Sequence, residues 1–187
     1  MDNIRNGVSK KALLGVFAIA ATFSVAVFSQ GSMKAMDVPP VLQPPADQQL
    51  LLEVTGNGVQ IYKCDGDGSS AAPFVWKLQA PEAALLDRDG RVVGKHYVGP
   101  TWESTDGSSV VGEVRARDAG PDAAAIPWLL LRAKATNGTG VFSKVLSIQR
   151  LRTYGGLAPP AACGEANAGQ LVRVPYSADY YFYGSKP

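Results

Sequence analysis

Within Gly94–Glu113, GKHYVGPTWESTDGSSVVGE, the one histidine of the chain, His96, stands close to a tryptophan–acid pair, Trp102-Glu103, and to a second acid, Asp106. Histidine titrates near neutrality and serves as a general base or a ligand contact. Paired with Glu103 or Asp106, it suggests a small hydrolase or isomerase. The two acids together raise glycoside hydrolysis, which depends on a carboxyl separation of roughly 5–9.5 Å that linear spacing does not give. Trp102, flanked by Gly99-Pro100 and the Gly107-Ser108 turn, offers a flat ring next to hydrogen-bond acceptors, the equipment of a sugar- or small-molecule-binding edge. His96, Trp102, Glu103 and Asp106 are therefore the candidate ligand contacts.

Each candidate also has a plainer reading. On an extended strand His96 shares its side with Val92, Gly94 and Val98, which suits a half-buried imidazole bonded to a backbone carbonyl. Trp102, Trp76 and Trp128 suit a core, and acids beside a turn are usually solvated or bonded to its amides. A catalytic triad lacks its nucleophile, because Ser104, Ser108 and Ser109 sit in no G-x-S-x-G elbow. No catalytic residue is assigned. The favoured expectation is a non-catalytic binding module for envelope material, a glycan or a small molecule; a hydrolase or isomerase using His96, and a structural envelope protein, are the alternatives.

No cofactor or metal is expected. There is no P-loop, dinucleotide fingerprint or H-E-x-x-H. The acidic loop CDGDGSS, Cys64 to Ser70, resembles half of a calcium loop, but Trp76 stands where its closing glutamate belongs. Cys64 and Cys163 are the only cysteines. An even pair in an exported chain reads as a disulfide; a metal site with His96 would lack a fourth ligand.

The elements that must position these residues are short apolar runs separated by turn dipeptides. Asn-Gly and Asp-Gly take the positive φ of tight hairpins. They predict turns at Gly56-Asn57-Gly58, Arg88-Asp89-Gly90, Asp106-Gly107 and Asn137-Gly138. Period-two alternation sets Val110, Gly112, Val114 and Ala116 on one strand face, and Tyr176, Ala178, Tyr180 and Phe182 on another. VFSKVLSIQRL is read as a strand, APEAALL as one helical turn, and PDAAAIP as a loop. About ten short strands without a long helical pattern predict an all-β protein, a single antiparallel β-sandwich or barrel built of hairpins.

This domain, residues 50–187, follows two other segments. MDNIRNGVSKK and the uncharged run Ala12–Phe28 read as a signal peptide over residues 1–29, cleaved near Ser29, or as a retained anchor helix. Residues 30–49 form a Pro-rich lead-in, expected to be an extended, polyproline-like tether. Either fate of the first segment places the rest in the periplasm or cell envelope, or outside the cell. Arg5, Lys10, Lys11 and Asp2 carry the whole formal charge of +2, so the remainder is neutral. A neutral domain argues against nucleic acid as a partner, and no like-charge run marks a membrane contact beyond the anchor.

GVQIYKC, HYVGPTWESTDGSSVVGEV, AIPWLLLRA, GVFSKVLSIQRLRTYGG and AGQLVRVPYSADYYFY, taken in order, resemble the secreted bacterial and fungal family catalogued as domain of unknown function 3455. The likeness runs from about Leu50 to Tyr183. It implies a cysteine after the V-Q-I-Y strand and another before A-G-Q, matching Cys64 and Cys163. It implies no reaction, cofactor or substrate. Some fungal relatives are labelled malate dehydrogenase, but the chain carries neither a Gly-rich fingerprint nor a βαβ pattern.

Overall fold

The computed structural model describes residues 37–66 and 74–187. The signal or anchor segment 1–29 with its cleavage point, lead-in residues 30–36, and the acidic loop beyond Gly66 lie outside the described residues. Eight strands follow in order: β1 (Gln48–Gly66), β2 (Phe74–Leu86), β3 (Val92–Tyr97), β4 (Thr101–Ser104), β5 (Ser109–Asp118), β6 (Trp128–Asn137), β7 (Ser147–Gly155) and β8 (Leu171–Ser185). Each pairs antiparallel with its neighbours in sequence, and β8 returns to pair with β1. The sheet closes as an up-and-down barrel, which leaves no edge strand to protect. Of the two expected architectures, the barrel is the one formed.

Alternation drives the closure. Tyr176, Ala178, Tyr180 and Phe182 of β8 are all buried, while Ser177, Asp179 and Tyr181 face outward. On β5 Val110 and Gly112 are buried, Val114 lines the open end of the barrel and is exposed there, and a bulge follows between Val114 and Ala116. A bulge adds one residue to a strand and resets which face the following side chains occupy.

The turn glycines Gly90, Gly107 and Gly138 all have positive φ, as the hairpin reading requires. Gly56-Asn57-Gly58 is different. It lies inside β1, paired on one side with Leu85–Ala83 and on the other with Ala178–Tyr176, so two expected strands are one, part of the reason the described residues form eight strands and not about ten. These glycines serve packing. A Cβ on Gly58 would stand 2.1 Å from the Glu82 carbonyl oxygen and 2.5 Å from the Ala83 Cα, whereas one on Gly90 or Gly107 would meet nothing within 4 Å. Gly58→Ala is therefore expected to lower stability by about 1–3 kcal/mol or more. Urea unfolding checks this, and a neutral effect would mean that β1 and β2 do not approach so closely.

Two further local readings are corrected. APEAALL is the second half of β2, its Leu85 turned into the core; tertiary pairing overrides the alanine-rich local preference. VFSKVLSIQRL begins with a 3₁₀ turn, Val141–Lys144, and becomes strand only at Ser147. That turn is held from outside: the Val141 N–H donates to the Asp106 carboxylate (2.9 Å) and the Phe142 N–H to the Ser108 hydroxyl (3.0 Å). It thereby inserts Phe142 into one end of the barrel, where its ring lies 4.6 Å from that of Phe182. Val110, Leu131, Val145 and Ile148 complete this packed end.

The described part of the lead-in belongs to the fold and does not stand off as a tether. Pro40–Leu42 forms a 3₁₀ turn, Leu42 is fully buried, and its carbonyl accepts from Gln149 Nε2 at 2.6 Å. Trp76, expected in the core, is half-buried and donates its indole N–H to the Ala161 carbonyl (2.9 Å). It sits beside the Cys64–Cys163 disulfide, whose Cα atoms are 5.5 Å apart across a separation of 99 residues. The bridge fastens the end of β1 to the long β7–β8 connection. Replacing both cysteines by serine is expected to cost about 2–4 kcal/mol, chiefly by freeing the unfolded chain, and to loosen that connection. Denaturation of the double variant tests the first effect, and protease nicking between residues 156 and 170 tests the second.

Candidate functional site

The packed end of the barrel carries the β2–β3, β4–β5 and β6–β7 connections. The opposite end carries β3–β4, β5–β6 and β7–β8, and there the interior holds a cavity of about 400 Å³. That volume falls within the range of roughly 300–1,000 Å³ typical of small-molecule sites. An eight-stranded barrel is just wide enough either to be filled by its side chains or to hold one small ligand. Here the two solutions divide the barrel lengthwise.

The inner wall is aromatic. β3 and β4 pair His96 with Trp102, and their rings stack with centroids 4.3 Å apart and planes 7° from parallel. Tyr180 meets both edge-on, at 5.3 and 5.4 Å. All three residues are buried and line the cavity. His96 Nδ1 lies 2.8 Å from the Thr101 carbonyl. A carbonyl only accepts, so Nδ1 carries the proton and Nε2 is left as an acceptor. Burial holds the imidazole pKa at about 3, far below its ordinary 6.5, and the nearby charge of Arg150 acts in the same direction. At neutral pH His96 is an uncharged ring.

Two buried polar atoms in this wall have no hydrogen-bond partner among the described residues, Trp102 Nε1 and Gln60 Oε1. Leaving such a group unpaired costs about 1–3 kcal/mol, and both atoms are sealed from solvent. Leu78, Val114 and Leu157 also line the cavity and are solvent-exposed, giving it an apolar approach.

Of the four residues singled out in the sequence, the fold brings together His96 and Trp102 alone. Glu103 follows Trp102 on β4 and so points out of the barrel, where it accepts from Tyr97 Oη (2.8 Å) and pairs with Lys95 Nζ (3.0 Å). Those partners hold its carboxyl below the usual range. Asp106 lies in the β4–β5 turn at the packed end. It accepts from the Ser108 N–H (2.8 Å), the Ser108 hydroxyl (2.6 Å) and the Val141 N–H, and these bonds depress its pKa to about 2. The His96–Glu103 and His96–Asp106 constellations needed for acid–base work are not assembled. Trp102 offers no flat surface ring to a sugar, since it is 1% exposed. Among the described residues no group of three or more His, Cys, Asp and Glu is placed to hold a metal ion.

The cavity also contains residues that the sequence reading passed over: Gln60, Tyr62, Arg150 and Tyr180. In VQIYKC, Gln60 and Tyr62 point inward while Val59 and Ile61 face out, so hydropathy alone selects the wrong side. Arg150 shares the inner face of β7 with Ile148, and a lone arginine among alternating residues reads as exposed. The one available signal was the aromatic face of YSADYYFYG, which places Tyr180 inside.

A family model described as "Protein of unknown function (DUF3455)" matches residues 45–184. No curated protein and no solved structure matches the chain.

Proposed function

The chain belongs to the family described as proteins of unknown function (DUF3455), and on that premise we propose that its barrel is a non-catalytic binding module that takes one small, largely apolar molecule into its interior. The cavity of about 400 Å³ beside the stacked His96–Trp102 pair, approached past Leu78, Val114 and Leu157, carries this reading. Among ligands of the envelope, a small molecule suits an enclosed aromatic chamber better than a glycan, which needs an exposed ring. A neutral imidazole with one nitrogen engaged and no carboxylate at hand supports binding over hydrolysis.

The proposed location is the periplasm, cell envelope or exterior, reached through residues 1–29. The Cys64–Cys163 bridge is compatible with that compartment. The outer wall carries charges, including the cluster Arg152, Asp179, Glu53 and Arg88, which suits water rather than the apolar band of a membrane barrel. Native purification of the exported protein, followed by mass spectrometry of released small molecules, tests the binding reading. A stoichiometric apolar compound is the expected result. Protein that emerges empty and also fails to bind a neutral naphthylamine dye would sink it.

A further inference from the structure

We infer that the cavity selects an apolar carboxylate, its acid group held by the guanidinium of Arg150 and its body packed on the accessible apolar side chains of the cavity, Leu78, Val114 and Leu157. The inference rests on the ligand-binding reading above and names the ligand class.

The lining of the cavity is chemically one-sided. It contains two cations, Arg117 and Arg150, and no acidic side chain. Arg117 is exposed, whereas Arg150 is partly buried on the inner face of β7. Of the other arginines, Arg88, Arg91, Arg132, Arg152 and Arg173 each pair with a carboxylate, and the two on β5 without an ion pair among the described residues, Arg115 and Arg117, are exposed to water. Arg150 takes part in no ion pair among the described residues. A cation held in an apolar, water-poor chamber is costly unless an anion meets it.

The geometry of its hydrogen bonds shows which part of Arg150 is committed. Nε and Nη2 both donate to the Pro127 carbonyl, at 3.1 and 2.8 Å. That is the side edge of the guanidinium, and it anchors the group to the β5–β6 connection. Of the five N–H groups, the pair on the end edge, from Nη1 and Nη2, makes no other hydrogen bond within 3.5 Å among the described residues, and the Tyr180 hydroxyl stands beside the guanidinium. Two parallel N–H groups match the two oxygens of a carboxylate. A phosphate dianion would call for more donors than this single edge provides.

Burial raises the pKa of Tyr62, Tyr176 and Tyr180, and the nearby Arg150 charge opposes it at each. An apolar acid would therefore meet a fixed cation and an apolar lining together.

The test uses the intact exported protein at neutral pH. N-phenyl-1-naphthylamine, a neutral fluorescent dye, is displaced by decanoate and 2-naphthoate and, separately, by their methyl esters. The acids are expected to compete about 10-fold or more tightly than the esters, as a charge-assisted bond requires. The acyl and aryl arms show which kind of body the chamber prefers. Arg150→Met is expected to bring the acids down to the affinity of the esters, and Arg150→Lys to retain part of the difference. Esters that compete as well as acids would leave an apolar binding protein and overturn the carboxylate inference. A preference that survives Arg150→Met would overturn the assignment to Arg150. Failure of the dye and all four competitors to bind would remove the binding reading itself. The acid–ester comparison needs no variant, so it stands even where Arg150→Met does not fold.

Discussion

Trp102→Ala is expected to destabilise the barrel by about 3–5 kcal/mol, the usual cost of deleting a buried indole. The ring is a structural divider as well as a wall. One face stacks on His96, its edges meet Tyr180 and Phe182, and it packs so closely on β5 that a Cβ on Gly112 would lie 2.9 Å from its Cζ3. Phe182 in turn touches Phe142, the plug of the packed end. Removing Trp102 would therefore join the 400 Å³ cavity to the core instead of leaving a sealed void, and water entry would spread the loss to both halves. Equilibrium unfolding in urea measures the effect. Trp102→Phe keeps most of the stack and should lose much less, because the ring face is retained and the unpartnered N–H is removed. A loss below about 1 kcal/mol for the alanine variant would contradict a load shared across both ends.

The contrast between Trp102 and its neighbour Glu103 shows what a one-dimensional reading holds. Strict alternation puts adjacent residues on opposite faces of a strand, so their separation was legible, as were His96 on an inward face and the aromatic face of β8. Turn chemistry placed the hairpins at Gly90 and Gly107, and an even pair of cysteines indicated the bridge. The same vocabulary misleads at Gly56-Asn57-Gly58, because a glycine that avoids a clash with β2 and one that adopts positive φ are the same letter. The 3₁₀ turn at Val141 was hidden for a related reason: its supports, Asp106 and Ser108, lie more than thirty positions away. Most of the cavity was invisible. It exists only once β1 and β8 pair, and its polar members, Gln60 and Arg150, occupy inner positions that hydropathy assigns to apolar residues.

Stability should fall as pH drops from about 6.5 toward 3, and His96 should be the main cause. In the unfolded chain the imidazole binds a proton below its ordinary 6.5; in the folded protein burial delays this to about 3. Between those values the unfolded state holds one more proton, so acid favours unfolding by about 1.4 kcal/mol per pH unit, on the order of 5 kcal/mol across the window. Above pH 7 both states carry the neutral ring and the contribution is fully present. Asp106 acts in the same direction lower down: its folded pKa of about 2 lies below the ordinary 3.8, so the support it lends the plug is lost through that range. The two groups are separable by variant. His96→Gln should flatten the stability profile between pH 6.5 and 4 while leaving the steeper fall below pH 4. Because His96 is the only histidine, its imidazole gives a single NMR signal, which should hold its chemical shift down to at least pH 5 in the folded protein. A signal titrating near 6.5 would mean that the ring is open to solvent. The stack with Trp102, and with it the aromatic wall of the cavity, would then be absent in solution.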